Sequence, residues 1–163
     1  MKRLAMPLAV LVTFLSTYAL TSAEEERIRI RDWEFTWTVG ESKDAYFTIT
    51  KTDESLYCYL SSSTFSGMRF SPEDAAAIGK VIRDAGDEIK AIKGDEEKST
   101  YKEVGKYRVK FGFDPESGGS VFISTTEWGF DNAYLNTKQA EELGDAMVNA
   151  VKYAKAVDER INP

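Results

Sequence analysis

The sequence predicts an α+β domain made of two similar units, each with three or four strands followed by one long helix. The composition is that of a globular protein, with 42% hydrophobic and 12% aromatic residues among 163. Two long stretches have helical periodicity, and each follows a set of short alternating stretches. The two halves also align with each other at an offset of 65 residues. We therefore expect an antiparallel sheet with two long helices packed on one face, related by pseudo-twofold symmetry.

The N-terminus has the pattern of a cleavable secretory signal peptide, residues 1–23. Lys2 and Arg3 precede a largely apolar stretch, residues 4–20, and three small residues are then followed by an acidic run. The stretch is shorter than a spanning helix, which needs about 20 strongly apolar residues. We expect an exported product, periplasmic or extracellular, with residues 24–163 as a single domain. An uncleaved membrane anchor is the alternative.

Charge limits the class of partner. Cleavage would remove two of the 21 basic residues and none of the 27 acidic residues. Nucleic acids and anionic bilayers are bound through basic residues, so neither nucleic-acid binding nor stable membrane insertion is expected of the cleaved chain. The expected partner is a protein or a small-molecule ligand, and a homodimer is left open.

The first unit, about residues 25–94, begins with strands. Residues Trp33 to Val39 alternate between large apolar and polar side chains, which predicts a half-buried antiparallel strand. Its aromatic side chains, Trp33, Phe35 and Trp37, are expected in the core. Three further strands are expected, at Ala45–Thr50, Leu56–Ser61 and Phe65–Phe70.

Both helices have clear start signals. Ser71 is a typical N-cap, Pro72 suits the first helical position, and apolar residues then recur at helical spacing up to Ile92. Asn136 and Gln139 form the equivalent capping pair of the second helix, which has a similar apolar stripe. Each stripe needs a partner surface.

Gly79 and Gly144 occupy matching positions of the two helices. A glycine in a helix interior costs about 1 kcal/mol relative to alanine. The matched positions therefore predict a close backbone approach, from helix to helix.

The second unit, about residues 95–163, repeats the order of the first. Strands are expected at 101–104, 107–113, 121–127 and around 130–135. The loop 114–120 contains acids and glycines but lacks the Asp-x-Asp spacing of a calcium loop. An ordinary turn is expected there.

No catalytic residue, cofactor or metal site is predicted. The chain has no histidine, which excludes imidazole-dependent nucleophiles and His-ligated zinc. Asp32 and Glu34 share one strand face, and such a pair can serve as general acid and base when their surroundings separate their pKa values. Because that face is expected to be solvated, a small periplasmic enzyme using carboxylates is kept only as an alternative.

Aromatic residues give the candidate binding site, Tyr57, Tyr59 and Phe122. Residues 56–60 alternate, which places two leucines and Cys58 on one strand face and both tyrosines on the other. If no helix covers the second face, the tyrosines form an amphipathic surface of the kind found in binding sites, and Phe122, which aligns with Tyr57, extends it. Burial in a second layer or in an oligomer interface is the alternative. Cys58 is expected to be buried and unreactive, with an intermolecular disulfide as the alternative.

No motif identifies a family, but the order of elements, strands and then a helix, twice, resembles that of Whirly-type single-stranded DNA-binding proteins. The resemblance implies a basic sheet face with interleaved aromatic residues. The basic residues nearest to that pattern alternate along two strands, as Arg27, Arg29 and Arg31 and as Lys106, Arg108 and Lys110. A Whirly-like nucleic-acid binder is thus a minor alternative. The favoured interpretation is an exported, non-catalytic binding protein.

Overall fold

A computed structural model describes residues 33–62, 65–125 and 131–161. These residues belong to one compact unit, Asp32–Pro163. They form two four-stranded antiparallel sheets and four helices. The predicted α+β class and the repeated order of strands and helix are confirmed, and the sheet is divided into two hydrogen-bonded sheets.

The two sheets have the same strand order. The first sheet, in the order β1-β2-β3-β4, consists of Glu34–Ser42, Ala45–Thr52, Leu56–Ser62 and Phe65–Phe70. The second sheet, in the order β5-β6-β7-β8, consists of Lys98–Val104, Tyr107–Asp114, Gly118–Thr125 and Asn132–Asn136. The sheets meet where β4 contacts β8, so β1 and β5 lie at their far edges.

Each long helix of the prediction is interrupted once. The segments are α1, Pro72–Ile82, α2, Ala85–Ile92, α3, Thr137–Val148, and α4, Ala150–Ile161. The predicted caps are confirmed: the Ser71 side chain accepts a hydrogen bond from the backbone N–H of Asp74 at 3.0 Å, and Asn136 and Gln139 form a reciprocal capping box. Among the described helices, none is both long and apolar enough to cross a bilayer.

The helices of each unit cover the sheet of the other unit. Helix α2 packs on β5, β6 and β7, whereas α3 and α4 supply the helical contacts of β1 and β2. The side chains enclosed between these layers are fully buried, among them Phe47, Ile49, Leu60, Phe111 and Ile123. Because each sheet relies on helices from the other half of the chain, neither unit buries its core alone.

Helices α1 and α3 contact each other at Gly79 and Gly144, as predicted. A Cβ atom built on Gly79 would lie 2.6 Å from the backbone nitrogen of Val148, and one on Gly144 would lie 2.6 Å from that of Arg83. Val148 and Arg83 correspond to each other in the same internal alignment as the glycines. The contact therefore repeats under the predicted pseudo-twofold symmetry.

Strand β1 departs from the prediction. Phe35 is 51% exposed, and Trp33 and Trp37 are half-buried. The centroid of the Phe35 ring lies 5.3 Å from that of Trp33 and 6.0 Å from that of Trp37. At the other end of the strand, a Cβ on Gly40 would lie 2.7 Å from the Cβ of Ala146 in α3. The expectation that Phe35 lies in the core was wrong, because α3 lies against the far end of this edge strand.

Candidate binding face

Tyr57 and Tyr59 lie on the face of the first sheet that points away from the helices. Their neighbours Cys58 and Leu60 are fully buried on the opposite face, as the alternation of β3 predicts. The face forms a concavity of about 430 Å³, which we call the first concavity. Its lining residues are Glu34, Thr36, Thr38, Tyr46, Thr48, Thr50, Tyr57, Tyr59, Ser61 and Arg69.

Arg69, on β4, supplies the positive charge of the first concavity. Its guanidinium carbon lies 4.4 Å from the centroid of the Tyr57 ring, a cation–π contact. Among the described residues, no carboxylate forms an ion pair with Arg69. The exposed guanidinium is therefore held by the ring while its hydrogen-bond donors stay available.

The two tyrosines have different local roles. The Tyr59 hydroxyl accepts a hydrogen bond from the backbone N–H of Gly67 at 3.1 Å, and a Cβ on Gly67 would lie 2.5 Å from Cζ of Tyr59. Glycine at this position thus lets the Tyr59 ring lie against β4. The Tyr57 hydroxyl forms no hydrogen bond with other described residues, so Tyr57 is the more available of the two.

Threonine hydroxyls fill the centre of the first concavity. The Oγ1 atoms of Thr36 and Thr50 lie 3.0 Å apart and share a hydrogen bond, and Thr48 Oγ1 donates to the backbone oxygen of Tyr59 at 3.4 Å. These bonds orient the hydroxyls across three neighbouring strands. The result is a surface rich in hydroxyl groups with one cation at its β4 side.

Phe122 lies on the corresponding face of the second sheet, in a separate concavity of about 320 Å³. It is opposite Lys110 on β6 and Tyr134 on β8, and Tyr101 continues the row on β5. The structure thus brings Tyr57 and Tyr59 together but places Phe122 on another sheet.

Arg69, Tyr101 and Tyr134 are residues of these faces that the sequence reasoning missed. Alternation along β4 puts Arg69 between the buried side chains of Met68 and Phe70. That alternation was the signal that could have identified it.

The basic residues of the Whirly-like alternative are only partly described. Arg108 and Lys110 lie on the uncovered face of the second sheet, but Arg108 is paired with Glu103 at 3.2 Å and stacked on Tyr101 at 4.8 Å. Lys106 lies in the β5–β6 turn, 5.3 Å from the Tyr107 ring. The other triplet, residues 27–31, lies outside the described residues.

The carboxylates with displaced pKa values have structural partners. The pKa of Asp114 is lowered because its carboxylate accepts hydrogen bonds from the backbone N–H groups of Ser117 and Glu116, at 2.8 and 2.7 Å. This geometry confirms the predicted turn. The pKa of Glu142 is lowered mainly by the hydrogen bond that the Ser42 hydroxyl donates to it.

Neither of the remaining candidate groups lies in a reactive setting that the structure describes. Glu34 is exposed at the β1 side of the first concavity, while Asp32 lies outside the described residues. Burial raises the pKa of the Cys58 thiol to about 12, and the charge of Glu73 adds to the shift. Cys58 is thus a buried core residue, and its free thiol is in the unreactive protonated form.

Comparisons with known proteins give a similar solved structure but no family. No protein-family model and no curated protein matches the chain. The crystal structure of a protein of unknown function from the DUF155 family of Prochlorococcus sp. NATL2A is similar, with 11% sequence identity and a TM-score of 0.44. The similarity covers 76% of this chain and 99% of that chain.

Proposed function

We propose that this protein is an exported, non-catalytic binding protein that holds a protein or a small-molecule ligand on the first concavity. The single observation that carries the proposal is the contact between Tyr57 and Arg69 on a sheet face that points away from the helices. The guanidinium carbon lies 4.4 Å from the centroid of the ring. A rigid ring with an available hydroxyl lies there beside a guanidinium that has no carboxylate partner among the described residues. Tyrosine and arginine are also the side chains most enriched at binding hot spots, together with tryptophan.

Two described carboxylates, Asp114 and Glu142, do not suit the role of a general acid. A general acid works best with a pKa near the operating pH, but the pKa values of Asp114 and Glu142 are lowered. Both are therefore ionised at neutral pH, and their hydrogen bonds secure a turn and a contact between helix and hairpin. A small periplasmic enzyme using carboxylates remains the alternative, with Glu34 as its described candidate.

Hydroxyl-radical footprinting tests the proposed face even while the ligand is unidentified. The purified protein is oxidised in buffer and in the exported fraction of its host, and side-chain oxidation is measured by mass spectrometry. We expect slower oxidation of Tyr57 in the exported fraction, with Tyr101, exposed on the other sheet, as the internal control. Equal oxidation of Tyr57 in both media would contradict the proposal.

The intact mass of the protein tests the proposed export. The N-terminal pattern supports cleavage after Ala23, so the intact mass of the protein from its host should correspond to residues 24–163. A full-length mass would favour the uncleaved anchor instead.

One observation supports the nucleic-acid alternative. Tyr101, Lys110, Phe122 and Tyr134 form one row across the uncovered face of the second sheet, and aromatic side chains interleaved with basic ones are typical of single-strand binding. Under this alternative an oligothymidylate should bind the protein with strong salt dependence, and Lys110→Gln should weaken it. No binding at low salt would remove the alternative.

A further inference from the structure

We propose that the ligand of the first concavity is a polysaccharide in which sugar rings that carry a carboxylate alternate with neutral sugar rings. The inference rests on the function proposed above and names the class of ligand. It comes from the hydroxyl content of the face, the environment of its cation, and the shape of the site.

The hydroxyl groups of the face suit a ligand that is itself rich in hydroxyls. A hydroxyl both donates and accepts hydrogen bonds, so threonine and tyrosine side chains can match sugar hydroxyls in either direction. Thr38, Tyr46 and Tyr57 line the concavity, and their hydroxyls form no hydrogen bond with other described residues. The part of the Tyr57 ring that Arg69 does not cover adds an apolar surface for the C–H side of a sugar ring.

Arg69 selects for a carboxylate on that ligand. A guanidinium presents planar donors that match a carboxylate with two parallel hydrogen bonds. The Tyr57 ring holds this group at 4.4 Å within the same concavity. A sugar ring placed against the part of the Tyr57 ring that Arg69 does not cover could bring its carboxylate beside the guanidinium.

The charge distribution disfavours a densely charged polyanion. Arg69 is the basic side chain among the lining residues of the first concavity, and Glu34 lies at its β1 side. Nucleic acids are bound by neutralising several phosphates, whereas this site fits one anionic group next to neutral hydroxylated groups. Peptide strands, in turn, add to unpaired sheet edges through main-chain hydrogen bonds, and this face presents side chains.

The dimensions of the site favour a chain over a single sugar. The lining residues come from all four strands of the sheet, which span about 14 Å at the usual strand spacing of about 4.8 Å. That width exceeds one sugar ring. We therefore expect several consecutive sugars to lie across the strands.

Isothermal titration calorimetry with a hyaluronan hexasaccharide, a defined oligomer in which a carboxylated sugar alternates with a neutral one, tests the proposal on the protein comprising residues 24–163. Its methyl ester is the matched neutral probe, because the sugar chain is the same and the carboxylates are masked. We expect saturable binding of the acid and roughly tenfold to a hundredfold weaker binding of the ester, as for the loss of a charge-assisted hydrogen-bonded pair.

Two variants of the protein should reproduce this loss. Arg69→Gln should weaken the binding of the acid by the same factor and leave the binding of the ester unchanged, and Tyr57→Ala should weaken the binding of both probes. Lys80→Gln, which removes an exposed cation of α1 that lines neither concavity, is the matched control and should bind as the unsubstituted protein does. Arg69 and Lys80 are exposed and Tyr57 is half-buried, so these variants should fold, which circular dichroism verifies.

The possible failures are distinguishable. Equal affinity for acid and ester, an unchanged affinity of Arg69→Gln, or no binding of either probe would overturn the assignment of a carboxylated polysaccharide. If Tyr57 is nevertheless protected in the exported fraction, the binding face stands and its ligand belongs to another class. Tighter binding of an acidic peptide or of an oligothymidylate, again weakened by Arg69→Gln, would also overturn the assignment. It would show to which class the ligand belongs.

Discussion

Replacing Gly79 or Gly144 by alanine tests the helix contact on which the fold depends. In an exposed helix interior, such a change stabilises a protein by about 1 kcal/mol. Here each new Cβ would lie 2.6 Å from a backbone nitrogen of the other unit, whereas ordinary contacts begin at 3.4 Å. Backbone atoms cannot rotate away, so the helices would have to separate by roughly 1 Å and lose core contacts.

We therefore expect each substitution to lower the free energy of unfolding by about 1–3 kcal/mol, the usual cost of overpacking. Urea denaturation followed by circular dichroism measures this, and the m-value should stay constant because the same surface is exposed on unfolding. The double variant should lose less than the sum of the single losses, since separation of the helices relieves both contacts.

Gly86→Ala is the matched control. A Cβ at Gly86 would come closer than van der Waals contact to the carboxylate end of Glu141, but that flexible side chain can move. Its movement would give up the hydrogen bond that the Gly86 N–H donates to Glu141 at 3.1 Å. We expect a loss of at most about 1 kcal/mol, the usual net value of one hydrogen bond, and therefore a smaller loss than at Gly79 or Gly144. If Gly79→Ala and Gly144→Ala both stabilised the protein by about 1 kcal/mol, as helix propensity alone predicts, the close contact between α1 and α3 would be refuted.

Three further predictions concern single groups. Because the pKa of the Cys58 thiol is raised to about 12, we expect no alkylation by iodoacetamide at about pH 8 until urea unfolds the protein; fast alkylation of the native protein would contradict its burial. Asn136→Ala removes the helix cap and should cost about 1 kcal/mol in urea denaturation, while Lys138→Ala on the same exposed turn should cost less; equal losses would argue against the cap. The pKa of Glu142 is lowered in the folded state, so its bond to Ser42 stabilises the protein above the ordinary pKa of the carboxyl, and the stabilisation is lost as the pH falls through the lowered value. Ser42→Ala should therefore reduce the loss of stability between neutral pH and about pH 3. If the free energy of unfolding falls equally with pH in the variant and the unsubstituted protein, the bond between Ser42 and Glu142 makes no such contribution.

Part of the candidate site could be predicted from the sequence because strand alternation is local. It placed Tyr57 and Tyr59 opposite the buried Cys58, and the structure has them there. The repeat aligned Phe122 with Tyr57, but strand pairing places it in the position of Tyr59, because Phe122 lies opposite Tyr134 as Tyr59 lies opposite Arg69. Phe122 also lies in the other concavity. The division into two sheets, between β4 and β8, depends on which strand edges form hydrogen bonds with each other. An internal repeat in the sequence does not predict this pairing.

The exposure of β1 shows the same limit. Alternation predicts which side chains share a face, but it does not tell whether a helix reaches that face. Phe35 and Trp37 are on the same side of the strand, yet Phe35 is 51% exposed while Trp37 packs partly against the core. Their difference follows from where α3 lies along the strand.

By itself, the sequence determined the α+β class, the repeated units, the helix caps and the side of β3 that carries the tyrosines. Each of these depends on residues a few positions apart or on a direct comparison of the halves. Only the tertiary structure decided that the helices of one unit cover the sheet of the other, that two sheets form, and that Arg69 stacks on Tyr57. These features arise from packing between segments distant in the chain, where any apolar stripe can pair with any apolar face and shape complementarity selects the partner.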